Sequence, residues 1–81
     1  MVPEASPVWV VIAAYNEATA IGEVLRGLGE YPYRLVVVDD GSKDGTAQQA
    51  LKFPVTVLRH AVNLGQGAAL QTGMRYALQQ G

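Results

Sequence analysis

The chain has 81 residues, 49% of them hydrophobic, and a formal net charge of −1 at pH 7. That length allows one domain, and six Lys and Arg residues scattered singly leave no basic stripe for a nucleic-acid backbone. The absence of cysteine excludes a disulfide scaffold and a thiolate-bound zinc site, and the longest apolar run, Val8 to Ala14, falls far short of the ~20 residues of a membrane-spanning helix.

Met1 to Pro7 holds two prolines, lacks both a basic start and a long apolar core, and reads as a loose leader rather than a signal peptide. Val8-Trp9-Val10-Val11-Ile12 follows as a first strand, ended by Ala13-Ala14-Tyr15-Asn16-Glu17. Ile21, Val24, Leu25 and Leu28 recur at helical spacing and predict an amphipathic helix from about Ala18 to Leu28, stopped by Gly29 at C′. Arg34 to Val38 is a second strand, apolar enough to be buried on both faces. Ser42 or Asp44 can cap a short second helix carrying Ala47, Ala50 and Leu51. Pro54 to Leu58 is a third strand with proline at its start, Arg59 to Gly65 is a loop, and Leu70, Met74, Ala77 and Leu78 mark the stripe of a last helix ending at Gly81.

The order β-α-β-α-β-α with right-handed crossovers predicts an α/β fold whose parallel sheet runs 3-2-1, with helices over its faces. Strand 1 then lies on an edge although it is apolar throughout, whereas edges are normally blunted by charge, proline or bulges. The mismatch implies a missing neighbour strand, so residues 1–81 read as the first half of a larger domain. The bare edge also predicts that the chain self-associates through it or is only marginally stable.

Chemistry concentrates where the strands end. Val36-Val37-Val38 runs straight into Asp39-Asp40-Gly41-Ser42, and an acidic pair at that point is too costly to bury unpaired. Ligands of open α/β sheets bind outside the carboxyl ends of the strands, which makes the pair a site candidate. Three loops share that rim: Ala13 to Glu17, Asp39 to Thr46, and Arg59 to Gly67. They offer an aromatic ring at Tyr15, carboxylates to accept from base or ribose, and glycines that let main-chain N–H groups approach phosphate.

Plainer roles stand beside these. Asp44 suits a helix cap, Asp39 suits bonding to loop amides, Trp9 suits core packing, and Gly65-x-Gly67 suits a turn opening the last helix. His60 is the only histidine and reads as a loop surface residue; Lys43 and Arg59 read as solvated. Asp40 to Gly45 imitates the start of a calcium loop, but Leu51 stands where that loop needs a glutamate.

The segments Val10 to Glu17, Val36 to Thr46 and Asn63 to Leu70 resemble the family 2 glycosyltransferases of the GT-A fold, closest to the dolichyl- or polyprenyl-phosphate mannosyl- and glucosyltransferases. The resemblance covers nearly the whole chain from Val8 onward. It implies the Rossmann-like, nucleotide-binding half of an inverting transferase that moves a hexose from a UDP- or GDP-sugar to an acceptor such as a polyprenyl phosphate. It further implies that Ala14, Tyr15, Asn16, Glu17, Asp39, Asp40, Asn63, Gly65 and Gly67 bind the sugar nucleotide, with Tyr15 at the base, Asp40 at base or ribose, and Asn63 to Gly67 along the phosphates. No catalytic or metal-binding residue is expected in this chain. The family's Mg²⁺- or Mn²⁺-binding Asp-x-Asp, its catalytic base and its acceptor site lie further on, so the chain alone is expected to be inactive.

Two departures from the family are Ala13, where proline is frequent, and Gln66, where lysine is frequent and whose loss weakens an anion contact. The resemblance places the protein in the cytoplasm, or at the cytoplasmic face of a membrane in its full-length form. A dinucleotide-binding Rossmann module would need a glycine loop after strand 1, and a receiver-like domain an aspartate after strand 3; neither is present.

Overall fold

In a computed structural model that describes residues 8–81, the elements run β1 (Val8–Ala14), α1 (Ile21–Leu28), β2 (Tyr33–Asp40), α2 (Thr46–Ala50), β3 (Thr56–His60) and α3 (Gln66–Gln80). The leader expected over residues 1–7 lies outside the described residues. All pairing is parallel, with β2 in the centre, β1 on one side and β3 on the other. Val36, Val37 and Val38 of β2 are completely buried. That is the environment for which an unbroken β-branched run is suited.

The pleat sends alternate residues to opposite faces. Val10, Ile12, Leu35, Val37, Val55 and Val57 pack with Ile21 and Leu25 of α1 and with Ala50 of α2. Trp9, Val11, Val36, Val38 and Leu58 pack instead with Ala69 and Tyr76 of α3. By the same alternation Asp39 and Arg59 face the α1/α2 layer, and Asp40 and His60 face α3. Register pairs Asp39 with Arg59 and Asp40 with His60.

Several sequence expectations change here. In α3 the stripe Leu70, Met74 and Leu78 is not the buried face: it lies exposed towards the β1 edge, with Leu78 82% exposed, while Ala69 and Gly73 are buried against the sheet. Close approach decides this: a Cβ on Gly73 would stand 2.3 Å from Val11 Cγ1, so only glycine fits at that point of the helix. Helix α1 starts at Ile21 rather than Ala18, after a turn in which the Glu17 carbonyl accepts from the Ala20 and Ile21 amides. Val24 turns outward, and Leu51, just past α2, is 64% exposed.

Gly29 ends α1 with right-handed dihedrals, φ −65°, and not as a left-handed C′ residue. Strand β3 runs two residues later than expected at each end, so Arg59 and His60 are strand residues whose side chains reach β2. The outward α3 stripe adjoins β1, whose outer edge carries no neighbouring strand among the described residues.

Candidate functional site

The loop after β1 is sewn to the loop after β2 by side chains that take up free backbone amides. Asn16 adopts a left-handed conformation, φ 52°, which asparagine tolerates better than most residues. Its N–H donates to Ser42 Oγ at 2.8 Å, and its Oδ1 accepts from the Lys43 N–H at 3.0 Å. The Glu17 N–H donates to Thr46 Oγ1 at 2.8 Å, and the Thr46 hydroxyl in turn donates to Asp44 Oδ1.

Asp44 also accepts from the Ala18 N–H at 3.2 Å and the Thr46 N–H at 3.0 Å. It therefore supports the start of α2 and the approach to α1 together. Its carboxyl is held below the usual carboxylate range, chiefly by the Thr46 hydroxyl, against the opposing effect of burial. Ser42 is not a helix cap; it belongs to the Asn16 side of this seam.

Both members of the acidic pair are buried: Asp39 is 0% exposed and Asp40 3%. Burial is tolerable because the carboxylates are partnered. Asp39 accepts from the Ser42 N–H at 3.1 Å, and its other oxygen, without a hydrogen bond, lies 3.5 Å from Arg59 Nε. Arg59 also donates to the Ser42 carbonyl at 3.2 Å, so it is engaged rather than freely solvated.

Asp40 Oδ1 accepts from the Leu64 N–H at 2.9 Å and sits 2.8 Å from His60 Nδ1, while Oδ2 accepts from the Gly65 N–H at 2.9 Å. The Leu64 amide first, then the His60 ring, hold the Asp40 carboxyl below its ordinary range, with burial opposing them. Asp40 thus holds the loop after β3 in place from within. His60, expected at a loop surface, is mostly buried, and its Nε2 lies 2.9 Å from Thr72 Oγ1 of α3. Strand register carried the missing signal: aligning Val38 with Leu58 puts His60 beside Asp40.

Between these loops opens a cleft of about 400 Å³ lined by Ala13, Ala14, Tyr15, Glu17, Asp40, Asn63, Gly65 and Gln66. Six of the expected site residues meet there: Ala14, Tyr15, Glu17, Asp40, Asn63 and Gly65. The other three do not line it. Asn16 and Asp39 hold the surrounding loops, and Gly67 lies in the first turn of α3, where a Cβ would meet nothing. Ala13 and Gln66 join the lining instead.

Tyr15 is 44% exposed, so its ring is available as a wall. Gly65 caps α3 with φ 101°, a conformation that needs glycine. The lining contains no lysine or arginine. Among the described residues, no group of three or more His, Cys, Asp or Glu converges to hold a metal, so these residues do not fit Mg²⁺ or Mn²⁺ ligation.

Fold and cleft together define a Rossmann-like α/β unit with its candidate site at the carboxyl ends of a parallel sheet. Residues 9–80 match the family described as Glycosyl transferase family 2, and the chain belongs to that family. An uncharacterized protein of Methanocaldococcus jannaschii is 49% identical over 88% of this chain and 30% of its own length. A dolichyl-phosphate beta-glucosyltransferase of Trichomonas vaginalis is 38% identical over 78% of this chain and 23% of its own length. The UDP-N-acetylglucosamine–dolichyl-phosphate N-acetylglucosaminyltransferase of Methanococcus voltae is 29% identical over 91% of this chain and 37% of its own length. The chain therefore spans about a third, or less, of the curated relatives it matches.

Proposed function

We propose that the cleft is the donor-binding part of an inverting glycosyltransferase and holds the nucleotide of a UDP- or GDP-sugar. One observation carries the reading: Tyr15, Glu17, Asp40, Asn63 and Gly65, drawn from three separate loops, line a single cleft. The Tyr15 ring packs against the base. A carboxylate has roughly four acceptor positions, and Asp40 uses one on Oδ2 and two on Oδ1. The remaining Oδ2 position accepts from a base N–H or a ribose hydroxyl. Asn63, Gly65 and Gln66 border the diphosphate at the start of α3, where main-chain N–H groups favour an anion.

The transfer reaction belongs to the longer protein. There, a carboxylate outside these residues deprotonates the acceptor, and the acceptor oxygen displaces the nucleoside diphosphate at the anomeric carbon. The acceptor is a dolichyl or other polyprenyl phosphate, as in the names of the relatives. A divalent cation, Mg²⁺ or Mn²⁺, would be held there by ligands outside these residues and would supply the charge neutralisation for the diphosphate that the cleft itself lacks. The 81-residue chain binds donor but does not transfer sugar.

Calorimetric titration with UDP- and GDP-sugars tests this reading. Saturable binding in the millimolar range or tighter, weakened by Tyr15→Ala at unchanged thermal stability, supports it. No heat with either nucleotide, or binding indifferent to Tyr15, overturns it.

A further inference from the structure

His60 is the hub of a hydrogen-bonded line that leads away from the cleft. Its Nδ1 lies 2.8 Å from Asp40 Oδ1 and its Nε2 2.9 Å from Thr72 Oγ1. Both acid and ring are largely covered, with side chains 4% and 12% exposed. An ionised carboxylate can only accept, so Nδ1 carries a proton. In the neutral ring, Nε2 then accepts from the Thr72 hydroxyl; in the cation, Nε2 donates and the hydroxyl accepts. The line persists in either state.

Thr72 is a firm anchor because it precedes Gly73, where α3 presses closest to the sheet, a Cβ there standing 2.3 Å from Val11 Cγ1. At the other end, Asp40 grips the Leu64 and Gly65 amides, beside the Asn63, Gly65 and Gln66 that line the cleft. Rotation of the Asp40 carboxylate would release both amides and swing its free acceptor position away from the cleft.

We propose that His60, steadied by Thr72, is a positioning residue of the nucleotide cleft. It fixes the Asp40 carboxylate so that one group both holds the 63–66 backbone and presents its unused oxygen position to a ligand. The ligand half of this inference rests on the donor-site reading above; the loop-holding half does not.

Three variants of the full chain separate the roles. His60→Phe keeps a ring and removes both nitrogens. His60→Asn keeps a donor where Nδ1 stands. Thr72→Val removes only the hydroxyl and preserves the helix should His60→Phe fold poorly.

In ¹⁵N–¹H spectra without ligand, the Leu64 and Gly65 amide signals should move together in His60→Phe, move less in Thr72→Val, and return towards wild type in His60→Asn. With UDP and GDP as calorimetric probes, affinity should fall about tenfold or more in His60→Phe and about threefold in Thr72→Val, and recover to within about threefold in His60→Asn. Unmoved Leu64 and Gly65 signals in both His60→Phe and Thr72→Val overturn the positioning role whatever the nucleotide does. Moved signals in a wild-type background that binds neither nucleotide overturn the ligand half alone, together with the donor-site reading. Moved signals with undiminished affinity overturn the ligand half and leave the donor-site reading intact.

Discussion

Gly41 lies directly beneath the Val62–Asn63 peptide: a Cβ there would stand 2.4 Å from the Val62 carbonyl carbon and 2.5 Å from the Asn63 nitrogen. Its φ of 74° is also one that side chains resist. The glycine after the acidic pair therefore serves the contact between two loops, one of which carries Asn63 to the cleft. Gly41→Ala combines positive-φ strain with a backbone clash and should destabilise the fold by about 2 kcal/mol or more. Urea or thermal unfolding measures it; a melt unchanged from wild type contradicts the close approach.

Of the bonds that sew the first two loops together, the one to the Thr46 hydroxyl is the most deeply buried. Thr46 is completely buried, accepts from Glu17 N–H and donates to Asp44. Thr46→Val preserves shape but strands the Glu17 amide, at about 1–3 kcal/mol. Thr46→Ser keeps the hydroxyl and should lose less. Equal melts for the valine and serine variants would show that the hydroxyl carries no weight.

Asp40 and Asp44 both have carboxyls lowered from the ordinary value of 3.8, so the folded chain binds their protons less readily than the unfolded chain does. Their contribution to stability is complete above the unfolded value, near pH 4, and drains as pH falls from there through the folded values. Unfolding free energy measured by urea titration from about pH 6 down to about pH 2 should decline on the acid side. Asp40→Asn should flatten that decline. An acid limb as steep in the variant as in the wild type contradicts the assignment to Asp40.

The outer edge of β1 has no partner among the described residues, and Met74 and Leu78 of α3 stand exposed nearby. Open edges beside apolar surface recruit further strands. Sedimentation should show the average mass of the 81-residue chain rising with concentration. Replacing the exposed Leu78 by lysine, which sets a charge beside that edge, should suppress the rise. A strictly monomeric chain at high concentration contradicts the edge argument.

The sequence was most legible where one force dominates. Val36-Val37-Val38 has little alternative to a central buried strand, and the crossover rule then orders the sheet and gathers three loops on one rim. It misled where packing overrode periodicity. The Leu70, Met74 and Leu78 stripe has helical spacing, yet Gly73 allows the closer approach and takes the inner face.

Side-chain pairing was hardest to read. Nothing local to Arg59-His60 indicates that these residues face Asp39 and Asp40, because that relation exists only once β2 and β3 are in register. Likewise Asn16 resembles a ligand contact in sequence, but its backbone N–H and side-chain Oδ1 are taken by Ser42 and Lys43.

The most direct test of the account is a titration of ¹⁵N-labelled chain with UDP-glucose and GDP-mannose in the presence of Mg²⁺, followed residue by residue. Donor binding in this cleft predicts saturable shifts, with at least one of the two ligands, confined to Ala13 through Glu17, Asp40 and Asn63 through Gln66, with the Tyr31–Tyr33 rim at the far end of the strands unmoved. Absence of shifts with both ligands, or shifts centred away from Tyr15, Asp40 and Asn63, would contradict it.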